Sequence, residues 1–333
     1  MAAPGIVVVS GASAGIGRAV ARRFGEAGWK VALIARGADG LEAARREIEG
    51  AGGEAMVIVA DVADESAVDA AAARVEREWG PIDVWINNAM VTAFCEFMDL
   101  SPQDFRRATE VTYLGSVWGM RAALSRMLPR DRGTIVQVGS ALAYRSIPLQ
   151  SAYCGAKSAL RGFIDSLRSE LLHRKSGVKL TMVQLSAFNT PQFDWGKTCG
   201  DKQPQPVPPI FQPEVAAEGI YRAALRPRRE WWIGWPAVKA ILGQRVVPGA
   251  LDHLLARVGY SGQHTDDPLP PGRRDNLYEP VPGDHGAHGR FDARAKPRSL
   301  QLELSTHREA IAAGALAAGL AALLGFAWRR RLR

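Results

Sequence analysis

The side-chain pair with the clearest chemical potential in this 333-residue chain is Tyr153 with Lys157. The two residues are four apart in a segment with helical periodicity, so a helix would place both side chains on one face. A free phenol has a pKa near 10 and is a poor base at neutral pH. An ammonium about 4 Å away contributes roughly 4 kcal/mol at an effective dielectric of about 20, which would bring the pKa of the phenol to about 7. The pair therefore predicts a tyrosine that exchanges a proton with an alcohol or ketone; the alternative is an ordinary solvated helix face.

A glycine-rich turn near the N-terminus predicts a nucleotide site. The apolar residues 5–10 predict a buried strand, residues 18–27 have helical periodicity, and between them lie Gly11, Gly15 and Gly17. Glycines let the backbone approach a pyrophosphate, and the amides at the start of the helix face its charge. The alternative is a simple tight turn.

The end of the next predicted strand indicates which dinucleotide would bind. An NAD-binding protein places an acidic residue there for the ribose hydroxyls, but this chain has Ala35 followed by Arg36. A guanidinium can hold a 2′-phosphate with paired hydrogen bonds, whereas a carboxylate would repel it. The sequence therefore favours NADP(H) over NAD(H), although Arg36 could be a solvated loop residue and Asp39 could still reach a ribose.

Strands alternate with helices of ten to fifteen residues throughout the first half of the chain. This order predicts an α/β fold with a doubly wound parallel sheet. Ligands of such folds gather beyond the carboxyl ends of the strands, where Asp61, Asn88 and Ser140 would lie. The hydroxyl of Ser140 could donate a hydrogen bond to a substrate oxygen, or it could simply cap a helix.

Taken together, these residues resemble the short-chain dehydrogenase/reductase family over residue 6 to about residue 235. The resemblance depends on the set rather than on any single motif, and its members occur in family order and spacing: Gly11-x-x-x-Gly15-Ile16-Gly17, Asp61-Val62, Asn87-Asn88-Ala89, Ser140, Tyr153-x-x-x-Lys157 and Thr190.

The resemblance implies a role for each matching residue. Tyr153 would be the general acid/base, Lys157 would lower its pKa and hold the nicotinamide ribose, and Ser140 would orient the substrate oxygen. The implied cofactor contacts are with the pyrophosphate and adenosine ribose (Gly11, Ser13, Gly15, Ile16, Gly17), the adenine (Asp61, Val62), the adenosine-side ribose (Asn88, Ala89) and the nicotinamide amide (Phe188, Thr190). Family members usually form dimers or tetramers, so a homodimer or homotetramer is expected.

The chain departs from the family pattern at three places. Met90 follows Asn-Asn-Ala where glycine is common, and Leu185-Ser186 replaces a common Pro-Gly. Thr112 stands at the position of the fourth catalytic residue, usually asparagine. A threonine can still bind a relay water, but it offers one hydroxyl instead of an amide.

The rest of the chain divides into a catalytic domain (1–235), an extension (236–306) that is partly loop, and a hydrophobic helix (308–329). Residues 201–209 are rich in proline and predict a cover over the substrate site. Residues 237–258 predict an amphipathic helix broken at Pro248, and residues 266–296 predict a loop wrapping the domain. His285 and His288 lack an element that would fix them, so no metal site is predicted.

The cysteines and the N-terminus predict an intracellular protein. Cys95, Cys154 and Cys199 show no metal or disulfide spacing, which fits a reducing compartment. The residues before the first predicted strand show no basic region or cleavage site, so a signal peptide is not expected. The net charge is +8, and from Arg290 onward nine Lys and Arg face three Asp and Glu. Because most of the excess lies in the tail, a nucleic-acid groove in the main domain is not expected.

Residues 310–328 form nineteen consecutive residues without charge, followed by an arginine-rich end. This length can span a hydrocarbon core of about 30 Å, and a tryptophan beside arginines suits a membrane interface. The segment predicts membrane attachment with the catalytic domain on the cytoplasmic face. A helix packed on the domain or in an oligomer is the alternative.

The sequence predicts an NADP(H)-dependent oxidoreductase that interconverts a secondary alcohol and a ketone, of lipophilic character if the tail holds it at a membrane. A nucleotide-sensing or scaffolding protein that keeps the fold without turnover is the alternative. Neither the substrate nor the direction of the reaction is encoded in a motif.

Overall fold

A computed structural model describes residues 4–309. The elements of the first half are β1 (Ile6–Ser10), α1 (Gly15–Glu26), β2 (Lys30–Ala35), α2 (Ala38–Gly50), β3 (Glu54–Val59), α3 (Glu65–Trp79), β4 (Val84–Asn87), β5 (Ala93–Phe94), α4 (Pro102–Thr109), α5 (Gly115–Met127), β6 (Thr134–Ser140) and α6 (Ser151–His173). The elements of the second half are β7 (Lys179–Leu185), β8 (Ala187–Phe188), α7 (Gln192–Trp195), β9 (Lys197–Thr198), β10 (Lys202–Pro204), β11 (Ile210–Phe211), α8 (Pro213–Leu225), β12 (Glu230–Ile233), α9 (Trp235–Val246), α10 (Pro248–Val258), β13 (His264–Pro268), β14 (Ala295–Lys296) and α11 (Leu300–Thr306).

Seven parallel strands form the central sheet in the order β12-β7-β6-β4-β1-β2-β3. The strand order reverses direction at β1, because β2 and β3 lie on one side of it and β4, β6 and β7 on the other. Strands buried on both faces have continuous apolar sequences, and all five residues of β1 are buried. The α/β fold expected from the sequence is confirmed.

Helices cover both faces of the sheet and divide the core into two large clusters. One cluster contains Val7, Val9 and Phe24 beside α1, α2 and α8, and the other contains Trp85, Met120 and Leu160 beside α3, α5 and α6. Because the seven strands are parallel, they all end at the same edge of the sheet, and the predicted site residues lie at this edge.

The helix expected between Pro102 and Met127 is interrupted. A π-helical segment, Glu110–Leu114, separates α4 from α5. Such segments insert one extra residue into a helix and are frequent beside functional sites. Periodicity alone could not show it, because the apolar pattern continues on both sides.

The extension joins the catalytic domain through additional strands instead of standing apart from it. Strand β13 pairs antiparallel with β10, and β14 pairs parallel with β11. The expected amphipathic segment is present as α9 and α10, which are separated at Val247 just before Pro248.

The uncharged segment 310–328 lies outside the described residues. Within residues 4–309, no helix has the length and apolar character needed to cross a membrane.

Candidate active site

The glycine-rich turn links β1 to α1 at the carboxyl edge of the sheet. Gly11 and Gly15 both have positive φ, at 69° and 58°, which other residues adopt with strain. A Cβ on Gly17 would lie 2.0 Å from the carbonyl oxygen of Gly11, so only glycine allows α1 to begin this close to the turn. No side chain caps α1 and no acidic residue lies in its first turn. The turn and the start of α1 therefore suit the pyrophosphate of a dinucleotide.

Asn88 fixes the neighbouring strand end. Its side-chain amide donates to the carbonyl oxygens of Ser10 and Gly11 at 3.1 and 3.2 Å. The hydroxyl of Ser10 in turn accepts from the backbone amides of Asn88 and Ala89. These bonds hold the ends of β1 and β4 together and form one wall of the cleft.

The predicted adenosine end contains two arginines. The Arg36 guanidinium donates to the carbonyl oxygens of Asn276 and Tyr278, each at 2.5 Å, and to that of Leu277 at 3.4 Å. Arg107 forms an ion pair with Asp61 and donates to the Leu277 carbonyl at 3.1 Å. The alternative of a free, solvated Arg36 is wrong, because the extension binds this side chain.

Ser140, Tyr153 and Lys157 are brought together by the end of β6 and the first turns of α6. Ser140 lies beside the Tyr153 phenol and acts to lower its pKa, and the Ser140 oxygen accepts from the Leu142 amide at 3.1 Å. The Lys157 Nζ lies 5.6 Å from the centre of the Tyr153 ring and donates to the Val138 carbonyl oxygen at 2.8 Å.

The electrostatics of this group differ from the expectation for Tyr153. Desolvation raises the pKa of Tyr153, and the neighbouring Ser140 only partly opposes that rise. Burial also lowers the pKa of Lys157, which is 2% exposed, to about 8. The sequence-based expectation included only the charge of Lys157, whereas desolvation is the largest influence on the pKa of both groups in the structure. The phenol is therefore protonated at neutral pH.

Thr112 does not support the expected relay role. Its hydroxyl donates to the Val91 carbonyl at 2.9 Å and accepts from the Val91 amide at 3.1 Å. Its side chain is fully buried within the π-helical segment, and it does not line the cavity. These bonds tie the π-helical segment to the loop after β4, which is a structural task.

A single cavity of about 540 Å³ contains nearly all the predicted site residues. This volume is within the usual range of small-molecule sites, about 300–1,000 Å³. Its lining includes the following predicted residues: Gly11, Ser13, Gly15, Ile16, Arg36, Asp61, Val62, Asn88, Ala89, Ser140, Tyr153, Lys157, Phe188 and Thr190. Gly17 and Thr112 lie outside this lining: Gly17 acts through close packing on the turn and Thr112 through its hydrogen bonds to Val91.

Other parts of the lining were not named from the sequence as site residues. The predicted cover contributes Gln205–Pro208, and α9 and α10 contribute Ala237, Ala240, Leu251, Leu254 and Leu255. The segment 276–286, here called the strap, contributes Asn276, Pro280, Val281, Gly283 and His285. Amphipathic character signalled the helices, but no motif signalled the strap.

The expectation that the cysteines form no disulfide is wrong. Cys95 and Cys199 are bonded across a sequence separation of 104 residues. Strands β5 and β9 pair at this point and bring the two residues together. Cys154 is buried, and burial raises the pKa of its thiol, as expected for an unreactive core residue.

The two extension histidines make protein contacts. His288 lies between Glu214, at 2.9 Å, and Asp292, at 2.9 Å. Burial opposes its charge, but these two carboxylates together raise the pKa of His288. Among residues 4–309, no group of His, Cys, Asp and Glu has the arrangement of a metal site.

Comparison with known proteins identifies the family to which this site belongs. The sequence profile described as short chain dehydrogenase matches residues 5–195. The chain belongs to the short-chain dehydrogenase family. This assignment also accounts for the order of the glycine turn, Ser140 and the Tyr153–Lys157 pair.

Individual short-chain dehydrogenases show similarity of different extent. The uncharacterized oxidoreductase YxnA of Bacillus subtilis is 32% identical over 319 residues, covering 95% of this chain and 89% of that protein. The uncharacterized oxidoreductase Rv1543 of Mycobacterium tuberculosis is 34% identical over 230 residues, covering 67% of this chain and 65% of that protein. The mouse dehydrogenase/reductase SDR family member 7B is 34% identical over 189 residues, covering 56% of this chain and 58% of that protein. Similarity to YxnA thus extends through the extension.

The family assignment makes this protein a dehydrogenase/reductase, and enzymes of this family use NAD(P)(H) and small-molecule substrates. The residues present fit such a cofactor. No side chain caps the start of α1, so amides after Gly15 are available to a pyrophosphate, while the Gly15 amide itself donates to the Gly286 carbonyl oxygen at 3.0 Å. The absence of a Cβ at Gly15 leaves room beside Thr190. When bound, the dinucleotide supplies or accepts a hydride.

Proposed function

We propose that this protein is an NADP(H)-dependent oxidoreductase that interconverts a secondary alcohol and a ketone. The observation that carries the proposal is the position of Ser140, Tyr153 and Lys157 in the same cavity as the glycine-rich turn. A hydride donor held by the turn would thus share one enclosed volume with a proton donor. This arrangement supports a combined transfer of hydride and proton.

The protonation of Tyr153 suits ketone reduction. Desolvation raises the pKa of Tyr153 and keeps its phenol protonated, so the phenol can donate its proton to the carbonyl oxygen as the carbon is reduced. The Ser140 hydroxyl orients that oxygen. Lys157 uses one of its three N–H groups on Val138, which leaves two for the ribose hydroxyls beside the nicotinamide.

Arg36 supports the preference for NADP(H). A guanidinium has five N–H groups, and the three carbonyl contacts from the strap leave two for a 2′-phosphate. Ala35 offers no carboxylate that would repel this group. For Arg36→Ala we expect NADPH affinity to fall by about 10- to 100-fold, from the loss of charge-assisted bonds, with little change for NADH. Calorimetric titration with both cofactors measures this difference; an equal loss for both would refute the assignment of Arg36.

The substrate end of the cavity supports a lipophilic substrate. Ile147, Val207, Leu251, Leu254 and Leu255 line it, so a substrate with an apolar body would bury its surface there. Lys239 adds a cationic side chain to the lining, whereas the guanidinium of Arg145 is paired with Asp252 at 2.6 Å. We infer a mainly apolar ketone with one polar group.

NADPH oxidation with a panel of ketones of increasing apolar size tests the proposal, using Tyr153→Phe. We expect its turnover to fall by about 10²- to 10⁴-fold, with NADPH affinity nearly unchanged. Tyr221→Phe is the matched control, since Tyr221 lies on α8 against Phe24, away from the cavity. Tight NADPH binding without turnover of any ketone would instead favour the non-catalytic sensor or scaffold.

We also propose that the uncharged tail holds the enzyme at the cytoplasmic face of a membrane, and that the chain forms a homodimer or homotetramer. Attachment is supported by the uncharged residues 310–328 and the arginine-rich end that follows them. Assembly is supported by the frequent oligomers of the family. Fractionation of the full chain and of a variant with leucines 316, 320, 323 and 324 replaced by serine tests attachment. Light scattering of the same proteins tests assembly.

A further inference from the structure

The strap contacts three of the elements around the predicted adenosine and pyrophosphate site. Its carbonyls at residues 276–278 bind Arg36 at the end of β2. The Gly283 amide donates to Asp39 at 2.9 Å at the start of α2. The Gly286 carbonyl accepts from the Gly15 amide at 3.0 Å at the start of α1. The strap therefore crosses the nucleotide end of the cavity from one wall to the other.

Two further contacts fasten the strap. Leu277 is fully buried and belongs to the same core cluster as Ile34 and Val62. Arg18, which is 2% exposed, pairs with Asp284 at 2.5 Å and with Glu47 at 2.8 Å. A buried leucine and a buried arginine on either side of the crossing show that the strap is part of the folded domain.

We infer that the strap is the gate of the cofactor site, so that the dinucleotide enters and leaves only when residues 276–286 lift. This inference rests on the proposed function, because it takes the dinucleotide to be the ligand of this end of the cavity. The strap is fastened to the ends of β2, α2 and α1 on both sides of the site, so a dinucleotide that enters at this end must displace it. The same contacts restrain a dinucleotide bound beneath it.

A gate has a kinetic signature that an ordinary binding residue lacks. Loosening the strap raises the association and dissociation rate constants together, since both need the open form. The ratio of the two constants, and hence the affinity, changes much less. Loss of a direct ligand contact would raise the dissociation rate constant alone.

The first test replaces Leu277 by alanine and follows NADPH fluorescence by stopped flow, with excess NADP⁺ as the chase. We expect both rate constants to rise by at least about tenfold, with the Kd changed by less than threefold. Leu300→Ala is the matched control, because Leu300 is 69% exposed on α11; it should leave both constants unchanged. Asp284→Asn weakens the contact with Arg18 and should shift both constants in the same direction as Leu277→Ala.

The second test locks the strap. A Cβ at Gly37 would lie 3.4 Å from the Pro280 Cβ, close to the separation of about 3.5–4.5 Å in disulfides. The double variant Gly37→Cys with Pro280→Cys, loaded with NADPH and then oxidised, should retain the cofactor through gel filtration. Oxidised while empty, it should take up none, and reduction should reverse both results. Wild type under the same treatment controls for the native Cys95–Cys199 bond.

The outcomes separate this inference from the proposed function. NADPH binding with equal rate constants in wild type and Leu277→Ala, or free exchange in the locked variant, would overturn the gate and leave the function in place. An increase confined to the dissociation rate constant would also overturn it. Failure of wild type and Leu277→Ala to bind either NADPH or NADH would overturn the function, and the gate with it.

Discussion

Replacing Lys157 with methionine is expected to make the protein more stable while removing its activity. Methionine has a similar length, so the cavity keeps its shape, but the variant no longer buries an ammonium. Lys157 is 2% exposed and its one described hydrogen bond goes to the Val138 carbonyl. Its charge is therefore poorly compensated in the protein without ligand.

The size of the effect follows from the titration of Lys157. Burial lowers its pKa from 10.5 to about 8, and one pKa unit corresponds to about 1.4 kcal/mol, so the buried charge costs the native state about 3 kcal/mol at neutral pH. Loss of the bond to Val138 opposes the gain by about 1 kcal/mol. We therefore expect the free energy of unfolding to rise by about 2 kcal/mol.

The stability difference between Lys157→Met and wild type depends on pH. Below about pH 8 both the folded and the unfolded chain carry the proton, so the cost is complete. Between pH 8 and 10.5 the folded lysine loses its proton while the unfolded lysine keeps it. Wild-type stability then gains with rising pH, and the advantage of the variant should disappear.

Urea unfolding at pH 7 and pH 10 measures both effects, with Lys179→Met as the matched control at an exposed position at the start of β7. The NADPH oxidation assay should show at least about a 10²-fold loss for Lys157→Met. A variant less stable than wild type at pH 7, or an equal difference at both pH values, would refute the argument from burial.

Two further substitutions test the close packing at Gly17 and the ion pairs of His288. Gly17→Ala places a Cβ 2.0 Å from the Gly11 carbonyl oxygen, so urea unfolding should show that the free energy of unfolding falls by about 1–3 kcal/mol. Gly50→Ala is the control, because the space around its Cβ is open. Equal stability of the two variants would contradict the packing argument. His288→Gln removes a histidine whose pKa is raised, after an opposing burial effect, by two carboxylates. The stability it contributes is present below its ordinary pKa of about 6.5 and lost as pH rises through its higher folded pKa. Because His288 is 40% exposed, the loss should be below about 1 kcal/mol at pH 5.5 and absent at pH 9; a loss that does not depend on pH would exclude the ion pairs as its cause.

The sheet could be predicted because its signals are local. Buried parallel strands have continuous apolar sequences, and the intervening helices have their own periodicity. The interruption of the long helix at Glu110–Leu114 could not be predicted, because a π-helical segment changes hydrogen bonding by one residue without changing the apolar pattern. The Cys95–Cys199 bond was missed for a different reason, since the pairing of β5 with β9 joins segments about a hundred residues apart.

Most of the site could be predicted because its residues occur in motifs at strand ends. The strap could not, because Asn276, Gly283 and Gly286 act through backbone groups that any residue offers. The contacts of Arg36 illustrate this limit of the sequence. Its position after β2 predicted a phosphate contact, but no feature of the sequence indicated that three carbonyl groups of the strap bind its guanidinium.

The sequence predicts a lowered pKa for Tyr153, whereas in the structure this pKa is raised, and the difference has one physical origin. A charge acts on its neighbour through a distance and a dielectric, and a sequence supplies neither. In the structure Lys157 turns its Nζ towards Val138, and desolvation raises the pKa of the nearby phenol. The enclosure that shields these two groups from water therefore acts on both pKa values, raising that of Tyr153 and lowering that of Lys157. The strap lines the far end of the same cavity, so it belongs to this enclosure.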